Sequence, residues 1–104
     1  MAFFDKMQQA KKLYGLQKKA KAIQKELANT EIEAEGLNGQ IKVTVSADQK
    51  IQNISIQSQI LTPENASKIE RALKDTFEAA SKEAQRIATS KMKQISGDLG
   101  LPGL

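Results

Sequence analysis

No cysteine, no histidine and no tryptophan occur in the 104 residues, and aromatic side chains make up only 4% of them. Each absence excludes something. Without cysteine there is no disulfide and no thiolate metal site, which fits a reducing compartment. Without histidine the chain lacks the commonest general base and the commonest metal ligand. The expectation is a protein that is not an enzyme, with no metal, no cofactor and no small-molecule substrate. No apolar run approaches the roughly 20 residues that cross a bilayer, and the first residues lack the apolar core and cleavage site of a secretory signal. The expected location is the cytoplasm.

What is present is charge on an aliphatic framework. Charged residues account for 27% of the chain and the formal net charge is +4 at pH 7, a balance that describes a helix-rich soluble protein and not a disordered tail. At this length the chain makes one small domain, residues 1–104, able to bury roughly 60 to 70% of its unfolded surface. Stability on that scale is thin for a monomer, and a partner subunit would add to it. The positive excess is unevenly spread. Lys6, Lys11, Lys12, Lys18, Lys19, Lys21 and Lys25 face only Asp5 and Glu26, while the middle of the chain is slightly acidic and the last third nearly neutral. A basic helix of this kind calls for an anionic partner.

Periodicity divides the chain into five elements. From Phe3 to about Ala28 the spacing is helical: Phe3, Met7, Ala10 and Tyr14 form one run, and Leu13, Leu16, Ala20, Ile23 and Leu27 follow the three-and-four step of a heptad seam. From Thr30 to Glu35 the pattern switches to period two, with Ile32 and Ala34 alternating with Glu31, Glu33 and Glu35. Asn38-Gly39 tolerates the positive φ angles of a hairpin, and Ile41, Val43 and Val45 then share one face of a second strand. A turn at Ala47 to Lys50 leads to Ile54 and Ile56, with Ile51 out of phase and expected in the turn or at a bulge. Thr62-Pro63 reads as a capped helix start, and Ala66, Ile69, Leu73, Phe77, Ala80, Ala84 and Ile87 trace one face of a helix running to about Ser96. Such a helix is roughly 50 Å long, against about 17 to 20 Å for a strand. Part of it must project beyond its own sheet, and an exposed apolar seam there is best explained by pairing with a second copy. Asp98 to Leu104 has no periodicity and is expected to be a flexible tail.

Short motifs add little. Glu31, Glu33 and Glu35 are expected on the wet face of a strand and not around a cation. Ser90-Lys91-Met92-Lys93 matches a Ser-x-x-Lys pattern, but the companion motifs of that hydrolase class are missing. Gly36-Leu37-Asn38-Gly39 has the spacing of an RNA-binding loop that links helices, whereas here it lies between strands. No glycine-rich loop opens a helix with a phosphate-binding lysine.

The basic residues remain. Lys11, Lys18 and Lys25 recur every seven positions, a ridge opposite the Leu16, Ala20, Ile23 seam. Lys68, Arg71, Lys82, Arg86 and Lys93 fall on one side of the last helix, diluted by Asp75 and Glu78. A row of lysines on a rigid helix neutralises phosphates with little regard to base sequence, and its poverty in arginine and amides favours backbone contact over base reading. Single-strand binding would need stacking platforms, and Tyr14 is the only aromatic beside the ridge. Phe3, Phe4, Leu13, Leu16 and the lysines would also suit an anionic bilayer, but the sheet and the long helix offer better burial, so no membrane role is expected.

The order helix, three-strand antiparallel meander, long helix (α-β-β-β-α, an α+β fold) resembles the YbaB/EbfC family of bacterial nucleoid-associated proteins. The residues that carry the likeness are Met7-Gln8-Gln9-Ala10, Gln17-Lys18-Lys19-Ala20, Gly39 to Val45, Ile54-Ser55-Ile56, Ile60-Leu61, the acidic and alanine-rich Leu73 to Ala84, and Gly100 to Gly103. Two places depart from the family's habit: a glycine-rich segment is reduced to Gly36 and Gly39, and Gln57-Ser58-Gln59 replaces an acid-proline pair. The resemblance implies a tweezer-like homodimer that binds double-stranded DNA, with a place in nucleoid organisation and gene regulation. By position the DNA contacts would be Lys11, Lys12, Lys18, Lys19, Lys25, Lys82, Arg86 and Lys93. The dimer interface would draw on Leu13, Leu16, Ile23, Leu27, Ile41, Val43, Phe77, Ala84 and Ile87. The rival is a prefoldin-like coiled-coil chaperone or a protein-binding scaffold without DNA. The heptad spacing supports it, while the third strand, the shorter first helix and the one-sided positive charge oppose it.

Overall fold

The computed structural model describes residues 2–98. Helix α1 spans Ala2–Ala28, strands β1, β2 and β3 span Glu31–Gly36, Ile41–Ser46 and Ile51–Ile56, and α2 spans Ala66–Asp98. The sheet is an antiparallel meander in the order β1-β2-β3. This is the α-β-β-β-α order read from the pattern. The tail expected to be flexible lies, from residue 99 onward, outside the described residues, as do the side chains of Phe3 and Phe4.

The turns show what the local residues enforce. Leu37, Asn38 and Gly39 all have positive φ, at 51°, 58° and 86°. Asn and Gly adopt that region at low cost, but Leu does not. Leu37 is half-buried, lining a cleft with Ala72 and Asp75, so burial offsets the strain. Ile51 is restored to the apolar side by a bulge: Thr44 pairs with Asn53 and Val45 with Ile51, and Gln52 is the extra residue. The Thr62-Pro63 start differs from expectation. The Thr62 side chain makes no capping hydrogen bond, Pro63–Asn65 forms a 3-10 turn, and α2 begins only at Ala66. Asn65 secures the segment instead, donating through Nδ2 to the Ile60 carbonyl at 3.0 Å.

The core is small and lies under α2. Ile41, Val43 and Val45 of the central strand are at most 1% exposed, each stabilising by about 2 kcal/mol relative to exposure. Val43 and Val45 cluster with Ala80 and Ala84 of α2, and Ile32, Ala34 and Leu73 pack against them. Alanines at the contact let helix and sheet approach closely. Gly36 serves the same end, because a Cβ there would overlap the hydroxyl of buried Thr76.

A second junction fixes α1. Ala47 donates its backbone N–H to the carbonyls of Leu27 and Thr30 at 3.1 and 2.9 Å, and Lys91 Nζ meets Glu26 Oε1 at 2.7 Å. Leu27 and Ile95 are buried at this end of the molecule. Beyond it the helices run free of the sheet, and the molecule measures 74 × 20 × 16 Å.

Substituting Gly36→Ala should destabilise the fold by about 1 to 3 kcal/mol in chemical denaturation, through overpacking against Thr76. Adding Thr76→Ala should recover part of that loss; full additivity of the two changes would contradict the contact.

Candidate nucleic-acid interface

All eight basic residues expected to contact DNA are exposed. Lys11, Lys18 and Lys25 sit one above another on α1 because seven residues make nearly two helical turns. Lys18 Nζ lies 5.6 Å from the centre of the Tyr14 ring, a cation–π contact that holds the ammonium against the helix. Lys12 and Lys19 flank this ridge. Lys25 stands in the last turn, where a cation also complements the helix dipole.

On α2 the charge is divided by position. Over the sheet, the outer side carries Asp75 and Glu78 among its cations. From Lys82 onward, Lys82, Gln85, Arg86, Thr89, Ser90 and Lys93 follow three-and-four spacing, are all exposed and line one shallow cleft. Their side of the helix is opposite Ala80 and Ala84, so packing turns it outward. Arg86 is not independent: its Nε and Nη2 donate to the Glu83 carboxylate, the closest approach being 2.6 Å from Nη2 to Oε1. Hydrogen bonding from Arg86 lowers the pKa of Glu83, and the same bond raises that of Arg86. Both groups are therefore charged at neutral pH.

Negative charge is kept on the sheet. Glu31, Glu33 and Glu35 are exposed on β1 while Ile32 and Ala34 turn inward, and Glu35 pairs with Lys42 at 3.7 Å. Among the described residues there is no cluster of three or more acidic or other metal-binding side chains. No helix among them is long and apolar enough to cross a membrane.

The residues expected at a dimer interface separate into two groups. Leu27, Ile41, Val43 and Ala84 are buried within their own chain, because they form the helix junction and the contact between α2 and the central strand. Leu13 and Phe77 are exposed at 61% and 37%, and Leu16, Ile23 and Ile87 are half-buried. Only this second group offers surface to a partner. The pattern also missed an apolar cleft beside it, formed by Val43, Ile51, Ile54, Leu73 and Phe77 with Glu70 and Lys74 at its rim. A signal for it existed. A helix about 10 to 12 Å across covers about two strands spaced roughly 4.8 Å apart, so a third strand under one helix must be left bare. Ile51 and Ile54, at 53% and 45% exposure, are that bare strand.

Known proteins fit this architecture. A nucleoid-associated protein of Rhodopseudomonas palustris is 33% identical over 100 residues, covering 96% of this chain and 92% of its own. A nucleoid-associated protein of Synechococcus is 33% identical over 102 residues, covering 97% and 91%. The crystal structure of the uncharacterized protein HP0035 from Helicobacter pylori superposes with a TM-score of 0.59 over 77% of this chain and 88% of that one. At 18% identity it speaks for the fold alone. The model of the YbaB/EbfC DNA-binding family matches residues 2–99, and with nearly the whole chain accounted for, the protein belongs to that family.

Proposed function

We propose that this protein binds double-stranded DNA as a homodimer, with low sequence specificity, through the lysine-rich surfaces of α1 and α2, and that it acts at the nucleoid in DNA organisation and gene regulation. The observation that carries this reading is the exposed row Lys11, Lys18, Lys25 on a helix that is tied to the rest of the chain near its C-terminal end, through Glu26 with Lys91 and through Leu27 with Ala47. Three cations in line along one rod can be laid along the phosphates of a duplex backbone. Each phosphate they neutralise releases condensed counterions, a gain in affinity that does not depend on base sequence. The glutamates on the sheet repel the same polyanion, so the helices are the favoured side of approach.

Dimerisation is supported by the apolar cleft on β3. Ile51, Ile54 and Phe77 place exposed apolar side chains together in one cleft, the kind of surface a partner can cover. A second copy is the natural cover because the rim is self-complementary: a two-fold axis through the cleft would set Glu70 of one subunit towards Lys74 of the other. Two subunits joined there would each carry a projecting pair of basic helices, doubling the phosphate contacts made by one particle.

Replacing Lys11, Lys18 and Lys25 together by Gln should weaken binding to unrelated duplexes by the same factor, measured by fluorescence anisotropy. Unchanged affinity with intact helicity would reduce the ridge to a solvating face. Light scattering at micromolar concentration should give a dimer, and Ile54→Asp should give a folded monomer with weaker DNA binding. A monomeric wild-type chain would refute the interface.

A further inference from the structure

The two basic surfaces differ in chemistry. The ridge on α1 is built of lysines, whereas the exposed face of α2 interleaves Lys82, Arg86 and Lys93 with amide and hydroxyl groups, Gln85, Thr89 and Ser90. Pure phosphate binding gives no reason for the exposed amide and hydroxyl groups set among these cations. We propose that this face of α2 is a base-reading surface that enters the major groove, with Gln85 and Thr89 contacting base edges and Lys82 and Lys93 anchoring the flanking phosphates. The inference rests on the DNA-binding reading above and adds to it a modest preference for A·T pairs.

Three observations lead there. The geometry suits a groove: Lys82 and Lys93 are roughly 16 Å apart along the helix axis, and with their long side chains they span a major groove about 12 Å wide. The reading groups are free: Gln85 and Thr89 make no side-chain hydrogen bond among the described residues, whereas nearby Gln49 is engaged with Ser81 through contacts of 3.0 and 2.7 Å. The guanine reader is occupied: Arg86, the only arginine on this face, is held side-on by Glu83. That leaves a carboxamide, which pairs bidentately with adenine N6 and N7, and a threonine, which meets the thymine methyl. One helical turn separates them, a rise of about 6 Å, close to two base-pair steps.

The test is competition binding of the full chain to duplexes of equal length at fixed salt, one A·T-containing series and one G·C-only series. The wild type should prefer the A·T series by about 5-fold or more. Gln85→Ala with Thr89→Ala should cut that preference to below about 2-fold with helicity retained, since alanine is the best helix former and both positions are exposed. Replacing adenine by 7-deazaadenine removes only the major-groove N7 acceptor and should have the same effect on the wild type. If neither series binds, the DNA-binding reading itself fails. If both bind equally, or the preference survives the double substitution or the 7-deaza duplex, DNA binding stands and base reading by α2 is refuted.

Discussion

The packing of a single long helix across two strands of a three-stranded sheet is the constraint on which the rest of the molecule depends. Ala80 and Ala84 meet Val43 and Val45 in a fully buried cluster, and Gly36 lets β1 lie against Thr76. Because α2 covers β1 and β2, the apolar side of β3 is left open. Because 33 residues of helix exceed the length of any strand here, the second half of α2 runs past the sheet. There it meets the end of α1 through the Glu26–Lys91 pair and buried Leu27 and Ile95. An uncovered strand and a projecting helix pair are thus two results of one mismatch between helix and sheet.

Charge follows the same division. Acidic residues sit where the chain is thickest, on β1 and on the stretch of α2 above the sheet, while the projecting parts carry lysine, arginine and neutral polar groups. Among the described side chains, Glu83 and Glu26 depart from this pattern, and each is committed to a cation, Arg86 or Lys91. Such exposed pairs add little to stability. Their effect is to cancel negative charge in a region that the proposed function needs to be positive.

Much of this was legible in the sequence because the signals are local. Strict alternation in Glu31 to Glu35 and Ile41 to Val45 marked the two strands and their buried faces, and the phase error at Ile51 pointed to a turn or a bulge, of which the register between Thr44 and Val45 contains the bulge. The seven-residue recurrence of Lys11, Lys18 and Lys25 was enough to place them on one exposed ridge. Other features depend on what lies across space. Nothing within Thr62-Pro63 reveals that the helix starts three residues later, or within Leu37 that burial will hold it at positive φ. The Glu83–Arg86 pair has a spacing that could have been read, whereas Glu26 and Lys91, far apart in the chain, could not. Leu27, Ile41, Val43 and Ala84, expected at a dimer interface, are buried by the chain itself, and the open apolar surface lies at Ile51, Ile54 and Phe77.

The central claim is that phosphate neutralisation by projecting basic helices drives binding, and the dependence of affinity on salt tests it most directly. Mobility shifts with unrelated duplexes across a salt series should give a linear fall of log affinity with log salt, at a slope of about −3 or steeper if three or more lysines engage phosphate. A slope near zero, at whatever affinity, would contradict the account.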